Sequence, residues 1–182
     1  MIPTETRHIR PSFTVYMNNV LNTPYTGRCA EVGVSCGYNA YTMLSRTNIN
    51  LVLVDDYLNY LERPDAYQVA KELLNPYQDR IRFITKPSVR AARKFDDGHF
   101  DYVYIDAGHT HEDVLSDIDA WWPKIRRGGM LAGHDSWKKE VNTAVMEYFK
   151  DKDTWVFGTI TMTDKPVPAN LASMCDWWVF KT

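Results

Sequence analysis

Three short runs of this sequence carry residue types that could do chemistry, and each follows an apolar stretch. The first is Glu31-Val-Gly-Val-Ser-Cys-Gly37, partnered by Asp55-Asp56 after Leu51-Val-Leu-Val54. Gly33 and Gly37 let the backbone turn sharply and approach a ligand, because no Cβ intervenes. Asp55, at the end of the next apolar run, is placed to accept hydrogen bonds from both hydroxyls of a ribose. Strand, tight loop, helix, strand and terminal carboxylate together predict a nucleoside pocket at the carboxyl edge of a parallel sheet. The second and third runs are Asp106-Ala-Gly-His109 and His134-Asp135. Asp106, His134 and Asp135 offer two carboxylates and an imidazole, a set able to hold a divalent cation. His109, with an unperturbed pKa of about 6.5, could take a proton from a substrate hydroxyl. The plainer alternative is that these residues cap helices, since Asp135 and Ser136 are both suitable N-caps.

The elements that must position these runs alternate without a linker, repeat or low-complexity tract. Phe13, Tyr16, Met17, Val20 and Leu21 have helical spacing and predict an N-terminal helix over a sheet face or pocket edge. Strands are expected at Arg28 to Val32, Leu51 to Val54, Ile81 to Thr85, Phe100 to Ile105 and Met130 to Gly133. Between them lie helices from about Gly37 to Arg46, from Pro64 with Ala66, Val69, Ala70, Leu73 and Leu74 inward, and a short one carrying Val89, Ala92 and Phe95. Thr110-His-Glu-Asp113 reads as a capping box opening a helix with Val114, Ile118, Trp121 and Ile125 on one face. Another helix aligns Val141, Val145 and Tyr148. Two last apolar segments, Trp155 to Thr161 and Trp177 to Phe180, are joined by Asp164 to Ala172, too short for a crossover helix, and so predict an antiparallel pair at the sheet edge. The expected fold is α/β, a Rossmann-like three-layer sandwich. Its seven-stranded, mostly parallel sheet has the order 3-2-1-4-5-7-6 and an antiparallel terminal strand.

Composition bounds the rest. At 182 residues and 45% hydrophobic, the chain suits one folded domain, 1–182, with 1–27 as a helical extension. A net charge of −2 gives no reason to expect nucleic acid or an anionic membrane as partner. The first residues lack the apolar core of a signal peptide, and no stretch approaches membrane-spanning length. Cys29, Cys36 and Cys175 show no C-x-x-C spacing and fit reduced thiols of a cytoplasmic protein, with homo-oligomerisation left open.

The dinucleotide fingerprint G-x-G-x-x-G fits poorly, because Ser35 and Tyr38 stand where its second and third glycines belong. From Ala30 to about Ser136 the chain instead resembles a class I S-adenosylmethionine (SAM)-dependent methyltransferase, whose first motif is E/D-x-G-x-G-x-G. It is most similar to the small-molecule O-methyltransferase group that includes macrocin-type sugar methyltransferases and cephalosporin-hydroxylase-like proteins. The motifs are Glu31 to Gly37, Val54-Asp55, Tyr104-Ile-Asp-Ala-Gly-His109 and Arg127-Gly-Gly-Met-Leu-Ala-Gly-His-Asp135. The resemblance implies SAM bound by Glu31, Gly33, Ser35, Gly37, Asp55, Ser88 and Asp106. It also implies Mg2+ or another divalent metal on Asp106, His134 and Asp135, with His109 as base toward a small hydroxylated acceptor. Two departures stand out. His134 occupies a position that is usually an acid, and Lys86-Pro-Ser88 replaces the Gly-Asp-Ser of many relatives, so adenine recognition must differ locally. Tyr57, Tyr60, Trp137, Trp177 and Trp178 are candidates for an acceptor pocket, whereas Trp121 and Trp122 are assigned to packing. Three rival readings are an NAD-dependent oxidoreductase, a metal-dependent hydrolase and a SAM-binding domain with an eroded site.

Overall fold

The computed structural model describes residues 9–20, 26–58, 61–158 and 175–182. In chain order the elements are α1 (Pro11–Asn19), β1 (Arg28–Val32), α2 (Tyr38–Leu44), β2 (Asn50–Val54), α3 (Ala66–Leu74), β3 (Ile81–Ile84) and α4 (Ser88–Ala92). They continue with β4 (Phe100–Ile105), α5 (His111–Trp121), β5 (Ile125–Gly133), α6 (Lys139–Phe149), β6 (Val156–Gly158) and β7 (Trp177–Phe180). The sheet order is β3-β2-β1-β4-β5-β7-β6. β7 runs antiparallel to both β5 and β6, as the short connection requires. Leu21, Tyr60, the end of the expected sixth strand and the Asp164-to-Ala172 connection lie outside the described residues.

Side-chain alternation along each strand divides the core into two layers. Leu51, Leu53, Tyr102, Tyr104, Met130 and Ala132 pack against α1, α2 and α3. Ala30, Val32, Val54, Val103, Ile105 and Leu131 pack against α4, α5 and α6. Phe13 and Tyr16 of α1 are fully buried, with Tyr16 stacked on Tyr102 at 4.6 Å. The N-terminal helix therefore belongs to the core. Ser12 fixes it in place, its amide and hydroxyl both donating to Asp176, at 3.1 and 2.6 Å.

Local chemistry explains most element ends. Thr110 caps α5 as expected, its Oγ1 accepting from the Asp113 amide at 3.2 Å. Ile125 opens β5 instead of closing the α5 face, because Pro123 ends the helix in a single 3-10 turn. Val69 and Leu73 are only half-buried, leaving Ala66, Ala70 and Leu74 as the inward row of α3. Neither Asp135 nor Ser136 caps α6; the helix opens after Lys138, and no side chain caps it. No described helix is long and apolar enough to cross a membrane.

Candidate active site

The parallel strands end side by side. Val32 pairs with Val54 and Ile105, and Ile105 pairs with Gly133. Gly33, Asp55, Asp106 and His134 are the first residues past those ends, so the topology alone gathers them along one edge. Amides that continue the ladders lock the edge: Gly33 onto the Val54 carbonyl at 2.8 Å, Asp106 onto Val32 at 2.7 Å, His134 onto Ile105 at 3.0 Å.

Gly33 is required by contact as well as conformation. It has φ of 86°, and a Cβ there would lie 2.0 Å from the Asp106 carbonyl oxygen. Ser35, in place of the motif's middle glycine, adopts φ of 49°, the left-handed region that glycine reaches without strain. Asp55 clamps this loop. One of its oxygens accepts from the amides of Val34 and Ser35, at 2.8 and 2.9 Å, and the other accepts from Tyr57 at 2.9 Å. The carboxylate expected on a ribose is therefore first a backbone anchor, while still lining the cleft. Gly37, with φ of 78°, opens α2 where Ala70 and Leu74 of α3 press close, so it serves helix packing.

A cleft of about 470 Å3 opens beside Gly33, within the roughly 300–1,000 Å3 of small-molecule sites. Val32, Val54, Asp55 and Asp56 form one wall, Lys86 to Val89 a second, and Ala107, Gly108, Asp113, Ser116 and Asp117 the third. Of the expected donor-binding residues, Gly33, Asp55 and Ser88 line it. Ser35 sits behind the Asp55 clamp, and Glu31 lies beneath the loop, 2% exposed, with its Oε1 accepting from Asn39 at 3.1 Å. The sequence pattern did not single out Asp117 or Ser116. Their signal is a repeat of three and four residues from Asp113 along α5, which the capping-box reading of Asp113 had absorbed.

Burial pushes the Glu31 carboxyl up to about 8, and its Oε2 has no partner among the described residues. An acid raised in this way takes up a proton on folding above its unfolded pKa. Wild-type stability should therefore fall between about pH 4.5 and pH 8 relative to Glu31→Gln, which does not titrate. Urea unfolding of both proteins across that range should show the gap widening by on the order of a few kcal/mol toward pH 8. A pH-independent gap would show Glu31 ionised at neutral pH.

The second cluster converges beside the cleft. One oxygen or nitrogen from each of Asp106, His134 and Asp135 lies within 4.8 Å of the others. His109 Nε2 is 2.8 Å from Asp135 Oδ2 and 3.8 Å from Asp106 Oδ1; the first is a hydrogen bond, the second acts through charge. Asp106 and Asp135 together lift the His109 imidazole to about 9. Both carboxylates are stabilised by cationic neighbours. Burial acts to raise Asp106, but His109, His134 and Arg10 hold it below the usual carboxylate range. Burial likewise acts on Asp135, yet His109 and Lys138, the latter at 2.8 Å, bring it down to about 2. Arg10, ahead of α1, reaches Asp106 at 3.5 Å and lies over the Tyr104 ring. No motif pointed to Arg10. Asp135 is held at φ of 59°, which turns its carboxylate toward Trp137 Nε1, at 3.1 Å, and Lys138.

The aromatic candidates divide. Trp177 is buried against Gly133, where a Cβ would lie 2.5 Å from its ring, and is core. Trp178 stacks on Phe157 of the edge strand, and Trp137 stays at the rim of the acid–histidine cluster. Trp121 is core, as expected, but its Nε1 also donates to Ser88 Oγ in the cleft wall at 2.9 Å.

Comparison with solved structures places this architecture among methyltransferases. A SAM-dependent O-methyltransferase from Thermotoga maritima superposes with a TM-score of 0.65 at 16% identity, over 97% of this chain and 67% of that one. A candidate methyltransferase from Streptococcus mutans, in complex with S-adenosylhomocysteine (SAH), gives 0.69 at 13% identity, over 95% and 98%. A tRNA (m1A58) methyltransferase from Aquifex aeolicus gives 0.62 at 14%, over 96% and 70%. No curated protein matches the sequence. At these identities the structures speak for the fold alone. The family model described as a methyltransferase domain matches residues 30–136, a span that holds the glycine loop, the Asp55 clamp and the acid–histidine cluster, and the chain belongs to that methyltransferase-domain family.

Proposed function

We propose that the protein is a SAM-dependent methyltransferase that transfers a methyl group to a hydroxyl oxygen of a small molecule, within the small-molecule O-methyltransferase group. One observation carries the reading: a cleft bounded by the Gly33 contact and the Asp55 clamp adjoins a histidine paired with a carboxylate. A sulfonium donor has no phosphates, so the loop needs no cradle of amides, and Ser35 is tolerated where a pyrophosphate binder wants glycine. The cleft suits the adenosyl group in size, and the close approach at Gly33 leaves the loop flush with the Asp106 backbone. When bound, SAM supplies a methyl group on a cationic sulfur that becomes neutral as the methyl leaves.

The chain's own residues would do the remaining work. Asp55 keeps the loop closed over the donor side, and His109, its Nε2–H directed onto Asp135, accepts the acceptor's hydroxyl proton at Nδ1. A divalent cation is a second ingredient favoured by the convergence of Asp106, His134 and Asp135. Two carboxylates and an imidazole fit such an ion in chemistry and spacing, and it would polarise the acceptor oxygen. Lys138 and His109 would have to release Asp135 to admit it. Three buried free thiols suit a reducing, cytoplasmic setting.

Calorimetry with SAM, SAH and NAD on one sample tests the donor. SAH binding without NAD binding is the expected result; the reverse would move the protein to the oxidoreductases. Asp55→Ala should weaken SAH binding by about 2–3 kcal/mol and also lower the melting temperature, because two loop amides lose a charged acceptor. Unchanged affinity would remove Asp55 from the donor site, whatever happens to stability.

A further inference from the structure

We infer that Asp117, on the cleft face of α5, recognises the exocyclic amine of the donor's adenine ring. The inference rests on the adenosyl-donor reading above and assigns a recognition role to a residue outside the family's motifs. The segment after β3, Lys86-Pro87-Ser88, offers no carboxylate to that side of the cleft. Asp117 reaches the cleft from α5, hydrogen-bonded to Ser88.

Asp117 is only 5% exposed, yet it has no ion-pair partner among the described residues. Burial pushes its carboxyl up to about 6, opposed by hydrogen bonding from Ser88 and reinforced by the negative Asp113. The Ser88 hydroxyl has one proton. Its oxygen already accepts from Trp121 Nε1 at 2.9 Å, so that proton is directed to Asp117. The chain Trp121, Ser88, Asp117 therefore fixes the carboxylate from the protein side and leaves acceptor capacity toward the cleft. Val32, Val54, Pro87 and Val89 provide apolar walls of the kind a flat ring needs. A desolvated acceptor in an apolar slot selects a ligand edge that donates. Adenine presents an N–H donor at C6. Hypoxanthine presents a carbonyl oxygen there, which a carboxylate repels.

Calorimetric titration of SAH and S-inosylhomocysteine into wild type, Asp117→Asn and Asp117→Ala distinguishes the possibilities. Wild type should prefer SAH by roughly tenfold or more. Asp117→Asn keeps the shape and offers an amide donor, so the preference should shrink at least tenfold or reverse. Asp117→Ala, which supplies neither donor nor acceptor, should weaken SAH while leaving the inosyl analogue unchanged or tighter. A merely structural Asp117 would move both ligands together, and an unaltered ratio in either variant overturns the assignment. If Asp117→Asn does not fold, the alanine variant still decides, and equal wild-type affinity for the two ligands overturns the assignment without any variant. Failure of wild type to bind SAH at all would instead strike the donor reading, and this inference with it.

Discussion

Replacing Gly33 by alanine is expected to abolish SAH binding, with an affinity loss of at least a hundredfold, about 2.7 kcal/mol. The added methyl would stand 2.0 Å from the Asp106 carbonyl oxygen and 2.4 Å from its carbon. Both are backbone atoms locked into the sheet edge by the Asp106 amide bond to Val32, so neither can rotate away. The φ of 86° adds strain of about 1–3 kcal/mol for any residue with a Cβ. The loop must then lift off β4, and the Asp55 clamp on Val34 and Ser35 breaks with it. A circular-dichroism melt run beside the calorimetry separates a displaced loop from an unfolded chain. Wild-type affinity in a folded Gly33→Ala protein would mean that the donor lies elsewhere.

His109→Ala should retain SAH binding and lose roughly 10²–10⁴-fold in kcat, the range for removing a general base. Its imidazole contacts the acid cluster and does not line the donor cleft, so binding and chemistry should part in this variant. With its pKa lifted to about 9, His109 is mostly protonated at neutral pH. In the wild type, kcat/KM should therefore rise with pH toward about 9 as the base form accumulates. Stability carries the opposite sign: a raised histidine supports the fold fully below about pH 6.5, and that support fades as pH rises through 9. Asp135→Ala should remove the partner that orients His109 and cost activity comparably. If a cation also acts on Asp106, His134 and Asp135, chelator should mimic Asp135→Ala while leaving SAH affinity intact. Full activity in chelator would leave a metal-independent enzyme using His109 alone. Full activity of His109→Ala would remove the base role outright.

The sheet order and the positions of the chemical runs were legible because both follow from apolar periodicity and short connections. The Asp164-to-Ala172 link admits no crossover helix, and the Thr110 box marks its helix start by side chain alone. What could not be read was any role set by contacts distant in sequence. Asp55 looked like a free carboxylate at a strand tip, because nothing local shows that the amides of Val34 and Ser35, about twenty positions earlier, occupy it. Asp106 and Asp135 could be read as ligands for a cation but not as already paired, because Arg10 comes in from α1, 96 positions from Asp106, and His109 from the loop after β4. Asp117 was hidden for a related reason. One acidic residue on an amphipathic helix reads as solvated until Ser88, on the facing wall of the cleft, is known.

The attachment of α1 to Asp176 bears on how a ribosome can deliver this protein. Ser12 and Asp176 are 164 positions apart, and β7 inserts between β5 and β6. Vectorial synthesis therefore exposes five parallel strands before their last neighbour exists, with the open ladder of β5 along Met130 to Gly133 unpaired. The α1 anchor waits equally long. A nascent chain lacking the final segment would carry both an apolar sheet edge and a loosely held first helix, the combination that invites misassembly and chaperone capture. Arg10, two residues from that anchor, is held beside Asp106 by a helix whose own fastening waits for β7.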